Sequence, residues 1–128
     1  MSKLTLDEIV ERCTDKIVCE NISKIPEVVR MLENYASGLR LIPIVVPEII
    51  TNAIHHGNRE DPRKKVWVYI LKTEQELYVA VQDEGEGFDF QEGLKKYDTP
   101  HGLKLVTYAF DEAYNDGNAI IMRKSLIG

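Results

Sequence analysis

The chain has 128 residues, of which 44% are hydrophobic, and it carries a formal net charge of −5 at pH 7. This length suits one domain with a single core, and the acidic balance gives no electrostatic footprint for general nucleic-acid binding. No apolar run approaches the length of a membrane span, and the N-terminus lacks the plan of a signal peptide. We therefore expect one cytoplasmic domain over residues 1–128, without membrane contact.

Hydrophobic periodicity and turn residues predict an alternation of helices and short strands. The expected elements in chain order are a helix at 6–13, a strand at 16–20, helices at 23–35 and from about 43 through 56, strands at 66–71 and 76–82, a helix at 102–112 and a strand at 119–123. Ser23 is positioned to cap the second helix, which has Pro26 in its first turn. Pro43 indicates where the third helix begins. Pro47 lies inside that helix and requires irregular first turns, because it lacks an N–H and crowds the carbonyl four residues back.

The two central strands are joined by a short polar turn, which predicts antiparallel pairing. Asn115, Asp116 and Gly117 predict a tight hairpin into the last strand. These elements indicate an α+β fold, a mostly antiparallel sheet with a helical layer on one face. Cys13 and Cys19 have no second pair to complete a zinc site, so we expect reduced, half-buried thiols.

A first polar motif lies on the third helix. Glu48, Asn52 and His56 are four residues apart, so on an α-helix their side chains form one stripe, beside an apolar surface that includes Ile49 and Ile50. A buried carboxylate and carboxamide need partners, because leaving either unpaired costs about 1–3 kcal/mol. A metal ion with bound water and phosphate would satisfy both.

Two further motifs place glycines next to the end of a strand or the start of a helix. Asp83 ends the second central strand and is followed by Gly85 and Gly87, which allow close backbone approach to a ligand. An acidic acceptor beside such a loop suits an adenine amino group better than a phosphate. Gly102 precedes a helix that begins with Leu103, and free N–H groups at a helix start favour an anion.

The segments EIITNAIHHGN (48–58), VQDEGEGFD (81–89) and HGLKL (101–105), in this order, resemble the N, G1 and G2 boxes of the GHKL superfamily of ATPases and kinases. The resemblance covers roughly residues 24–124. Within the superfamily, the chain looks most similar to the small bacterial serine-protein kinases that act as anti-sigma factors. The resemblance implies the Bergerat fold, a two-layer α/β sandwich.

The resemblance also implies roles for individual residues. Glu48 would be the general base and Asn52 would hold Mg²⁺. Asp83 would accept a hydrogen bond from the adenine amino group, with Gly85 and Gly87 shaping the pocket. Gly102 and Leu103 would place helix N–H groups near the phosphates of ATP. The implied activity is ATP-dependent phosphorylation of a STAS-domain anti-sigma antagonist, together with sequestration of a sigma factor, and family members commonly form homodimers.

The family pattern has Gly-x-Gly where this chain has Pro100-His101-Gly102, and the segment 88–102 predicts a short lid. Two other functions stay open. One is a nucleotide-dependent binding switch without phosphoryl transfer, which the proline favours. The other is an ATP hydrolase or a detached histidine-kinase catalytic module, although no phosphoacceptor helix pair precedes the first motif. Each motif alone also suits a surface helix or a plain turn, and the ordered set of three favours a nucleotide site.

Overall fold

The structure is a computed structural model that describes residues 3–59, 61–85 and 103–127. Its helices are α1 (Leu6–Arg12), α2 (Ile25–Tyr35), α3 (Ile42–Asn52) and α4 (Leu103–Ala109), and its strands are β1 (Asp15–Cys19), β2 (Val66–Lys72), β3 (Glu76–Asp83), β4 (Glu112–Asp116) and β5 (Ala119–Ser125). A 3₁₀ turn over Ile22–Lys24 precedes α2, and a π-helical turn over Ala53–Gly57 follows α3.

The five strands form one sheet in the order β1-β2-β3-β5-β4, and every neighbouring pair is antiparallel. The predicted antiparallel pairing of β2 with β3 is confirmed, with Val68 opposite Val81. The hairpin between β4 and β5 turns at Gly117, whose φ of +59° is a conformation that glycine adopts without strain. The α+β class is therefore confirmed.

Side chains alternate between the two faces of the sheet, as the pleat of a strand requires. On one face, α2, α3 and α4 cover the main core, to which β3 contributes Leu77, Val79 and Val81. The other face carries a second buried cluster that includes Ile9, Tyr69 and Tyr78. The main core thus lies between the sheet and three helices.

The position of α1 differs from the expectation of helices on one face only. Ile9 of α1 packs into the second cluster, and the helix starts with a capping box between Thr5 and Glu8. The Leu6 N–H also donates to Asp116 Oδ2 at 2.7 Å. This position of α1 is stabilised because the helix removes the apolar surface of Tyr69 and Tyr78 from water.

Several helix ends also differ from the sequence prediction. Ser23 does not cap α2: its N–H donates to the Asn21 side chain at 2.8 Å, and α2 begins at Ile25. Helix α4 ends at Ala109 rather than at 112, because Asp111 N–H bonds the Arg123 carbonyl of β5 and starts the β4 pairing.

Helix α3 begins beside Pro43 and runs through Pro47, as predicted. The N–H groups of Ile44 and Val45 both donate to the Leu41 carbonyl, at 3.1 and 2.8 Å. This first turn mixes 3₁₀ and α bonding, which is common at a helix start. Among the described residues, no helix is long and apolar enough to span a bilayer.

Candidate nucleotide site

An open recess lies where the end of α3 faces the end of β3 and the start of β5. Its walls are apolar side chains from the helix and the two strands, with three polar side chains among them. The lining residues are Ile49, Asn52, Ala53, Val81, Asp83, Asn118 and Ile120. A concave apolar opening with a few polar groups is the usual form of a small-molecule site.

Asp83 is buried at the end of β3, with only 3% of its surface exposed. It continues the alternation that turns Val79 and Val81 toward the main core, so its carboxylate belongs to the helical face of the sheet. The N–H of Gly85 donates to Asp83 Oδ1 at 2.8 Å, which fixes the carboxylate. A carboxylate has about four acceptor positions, and a ligand N–H in the recess would be well placed to use one.

The structure brings Asn52 of α3 into the same recess, opposite Asp83. Glu48 lies one turn earlier on α3, is exposed to solvent and does not line the recess. Two of the expected site residues therefore meet at one opening, while the third stands at the surface of the same helix.

The α-helical backbone that carries Glu48 and Asn52 ends at Asn52. From Ala53 the chain forms a π-helical turn, in which Asn58 N–H donates to the carbonyl of Ala53, five residues back, at 2.9 Å. Because a π turn holds more residues than an α turn, the backbone of His56 does not continue the α-helical spacing. The prediction of an α-helix through residue 56 is wrong for this reason.

Asn58 is a structural residue that the sequence analysis missed. Its side chain is buried, its Nδ2 donates to the Lys65 carbonyl at 3.0 Å, and its Oδ1 accepts the Glu84 N–H at 2.7 Å. These bonds connect the π turn to the start of β2 and to the residue after Asp83. The only sequence signal was its place at the end of the first motif.

Asn118 is a second residue that the sequence analysis missed, although it directly follows the predicted hairpin. It lines the recess, and its side-chain Nδ2 donates to the Asp83 carbonyl. Its position beside Asp83 depends on the pairing of β5 with β3, in which Ala119 lies opposite Gln82.

The structure describes only some of the remaining predicted site residues. Leu103 begins α4, which packs against α3. Gly87, Gly102, Pro100 and the expected lid at 88–102 lie outside the described residues.

The types of side chain that line the recess suit an adenine nucleotide. Ile49 and Ala53 face Val81 and Ile120 across it, and such apolar walls suit a flat base. The buried carboxylate of Asp83 accepts hydrogen bonds and cannot donate them when ionised, so it favours an amino group over a carbonyl oxygen.

The donor set also suits magnesium held mainly by phosphate and water. In the three described ranges, no group of three or more histidine, cysteine or acidic side chains could hold a metal ion. Mg²⁺ commonly uses one or two protein oxygens and keeps several waters. The amide oxygen of Asn52, on the helix side of the recess, is compatible with that role.

The five-stranded antiparallel sheet and its helical layer are the fold of a histidine kinase-like ATPase domain. Residues 25–124 match the family described as "Histidine kinase-like ATPase domain", and the chain belongs to this family. This match confirms the resemblance to the GHKL superfamily.

Curated relatives place the chain near the anti-sigma kinases. It is 33% identical to the serine-protein kinase RsbW of Bacillus subtilis (strain 168), over 68% of this chain and 64% of the relative. It is 32% identical to the anti-sigma F factor of Oceanobacillus iheyensis, over 46% of this chain and 40% of that protein. The chain therefore spans less than two thirds of the length of these relatives.

Proposed function

We propose that the protein is an ATP-dependent serine/threonine-protein kinase and anti-sigma regulatory factor. In this proposal it acts as one ATP-binding domain in the cytoplasm, phosphorylates a STAS-domain anti-sigma antagonist and sequesters a sigma factor. The observation that carries the proposal is the meeting of Asn52 and Asp83 in one recess of a histidine kinase-like ATPase fold. The names of the relatives supply a serine acceptor on a protein and a sigma factor as partner. The STAS-domain antagonist comes from the family resemblance alone.

At the base end of the site, Asp83 accepts a hydrogen bond from the adenine amino group. The bond from the Gly85 N–H to Oδ1 holds the carboxylate toward the recess. Gly85 and Gly87 keep side chains away from the base. Guanine presents a carbonyl at the corresponding position, and a carbonyl facing a carboxylate places two acceptors together with no hydrogen bond between them.

At the phosphate end, Asn52 would hold Mg²⁺, and Gly102 with Leu103 would present helix N–H groups to the phosphates. When bound, ATP supplies the phosphoryl group and Mg²⁺ neutralises its charge. Glu48 accepts the proton of the incoming serine or threonine hydroxyl. Its exposure on α3 suits this role, because the hydroxyl arrives on another protein.

One observation favours a second candidate, a nucleotide-dependent binding switch without phosphoryl transfer. Glu48 does not line the recess that contains Asn52 and Asp83. In such a switch, nucleotide occupancy would select the protein partner and Glu48 would be an ordinary surface residue.

Calorimetric titration tests the base end of the site. The wild type is titrated with ATP, ADP and GTP in the presence of Mg²⁺, beside Asp83→Asn and the control Asp7→Asn, which removes the same charge from exposed α1. We expect adenine nucleotides to bind in preference to GTP. Asp83→Asn should weaken ATP binding about 10–100-fold, the value of a hydrogen bond to a charged group. Failure of the wild type to bind ATP would overturn the proposal.

A transfer assay tests Glu48. Wild type, Glu48→Ala and the exposed control Glu33→Ala on α2 are incubated with labelled ATP and a STAS-domain antagonist. Glu48→Ala should bind ATP like the wild type but transfer about 10²–10⁴-fold more slowly, the usual contribution of a general base. Acid-stable label identifies serine or threonine as the acceptor. Nucleotide binding by the wild type without any label on the antagonist would favour the switch.

A further inference from the structure

We propose that Asn118 is the positioning residue for Asp83, and that Gln82 holds Asn118 in place from the other face of the sheet. This inference rests on the proposed function, because it assigns a cause to the adenine preference of Asp83. It concerns a residue outside all three sequence motifs.

Asn118 holds the backbone of Asp83 beyond the last residue pair of the β3–β5 ladder. That ladder ends with Gln82 opposite Ala119. One step further, the Asp83 N–H donates to the Asn118 carbonyl at 3.0 Å, and the Asn118 side-chain Nδ2 donates to the Asp83 carbonyl. A strand end held by two bonds frays less than one held by a single bond, so the carboxylate keeps its aim into the recess.

The orientation of the Asn118 amide is set by Gln82. The Gln82 Nε2 donates to Asn118 Oδ1 at 3.0 Å, so the Asn118 Nδ2 is the atom that faces Asp83. The Tyr69 hydroxyl donates to Gln82 Oε1 at 3.3 Å and fixes the orientation of that amide in turn. The result is a chain of amide and hydroxyl groups in which each donor has one acceptor, from Tyr69 to Asp83.

This chain of bonds crosses the sheet. Tyr69 belongs to the second buried cluster, on the face opposite the main core. Gln82 lies on that same face, because it alternates along β3 with Asp83, which faces the main core. Gln82 does not line the recess, whereas Asn118 does. The Gln82 side chain therefore does not contact a nucleotide in the recess, and its effect through Asn118 can be tested by a double-mutant cycle.

The first test compares two asparagine-to-aspartate variants in the same hairpin. Asn118→Asp keeps an acceptor for Gln82 but removes the donor to Asp83 and places an acceptor against its carbonyl. Asn115→Asp is the control: it adds the same charge, and its Nδ2 bonds the Ala119 carbonyl within the hairpin at 3.3 Å. We expect Asn118→Asp to lower ATP affinity and the preference for ATP over GTP each by about 10-fold. A charge effect on the phosphates would change both nucleotides equally and leave the preference unchanged.

The second test is a double-mutant cycle, which measures coupling between Gln82 and Asn118. Gln82→Met should weaken ATP binding about 3–10-fold in the wild-type background, the value of one hydrogen bond. In the Asn118→Ala background the same change should have no effect on ATP affinity. Circular dichroism and thermal unfolding establish that each variant is folded.

The outcomes separate this inference from the proposed function. If the wild type binds ATP and Asp83→Asn weakens that binding, but Asn118→Asp keeps the wild-type base preference, the positioning role is overturned and the proposed function stands. Additive effects of Gln82→Met and Asn118→Ala would also overturn it. A wild type that does not bind ATP overturns both.

Discussion

Replacing Asn58 with alanine removes the link between the π turn and the two strand ends. The side chain is 1% exposed, and it makes two hydrogen bonds to backbone groups, at 3.0 Å to the Lys65 carbonyl and 2.7 Å from the Glu84 N–H. Both bonds are only partly buried, so water can partly replace each lost partner. The cost is therefore about 1 kcal/mol for each bond, and the free energy of unfolding should fall by about 2 kcal/mol.

Urea unfolding followed by circular dichroism measures this loss. With a slope near 2 kcal/mol/M, the midpoint of Asn58→Ala should lie about 1 M below that of the wild type, at an unchanged slope. The matched control is Asn34→Ala on the exposed face of α2. It should be neutral or slightly stabilising, because alanine has the higher helix propensity. A loss below about 0.5 kcal/mol for Asn58→Ala would refute the role of these two bonds.

The remaining predictions concern a thiol and a turn. Burial, with a smaller effect from Glu27, raises the Cys19 pKa from 9.0 to about 11, so iodoacetamide at pH 8 should label half-buried Cys13 well before Cys19. Because the Cys19 pKa is raised in the folded state, the protonated thiol contributes its full stabilisation below pH 9, and this stabilisation is lost toward pH 11. The fall in urea midpoint over this pH range should therefore be smaller in Cys19→Ala. No atom lies within 4 Å of a Cβ added at Gly117, so Gly117→Ala should cost about 1–2 kcal/mol, from its positive φ alone, and Gly117→Asn less.

Local patterns in the sequence were sufficient to predict the positions of most strands of the sheet. Strands β2 and β3 lie within about one residue of their predicted ends, because alternating apolar side chains identify them directly. The sequence pattern does not predict strand β4, because its residues EAYND are half-buried or exposed and show no alternation. Its strand conformation comes from pairing with β5, which is a tertiary effect.

The candidate site shows the same division between local and long-range information. The spacing of Glu48 and Asn52 on one helix follows from sequence alone, whereas the π turn that ends this spacing depends on how Asn58 bonds to β2 and to Glu84. The approach of Asn52 to Asp83 needs the packing of α3 on the sheet. Their chemical roles remain predictions, which the binding and transfer experiments address.

The two asparagines that the sequence analysis missed hold the end of β3 from opposite sides. Asn58 bonds the N–H of Glu84, 26 residues away, and Asn118 bonds the carbonyl of Asp83, 35 residues away. Periodicity cannot reveal such bonds, because it reports only which face of one element is buried. The two bonds therefore anchor adjacent residues at the end of β3 to different parts of the chain. Adenine preference should therefore respond to residues that lie outside the glycine motifs as well as to Asp83 itself.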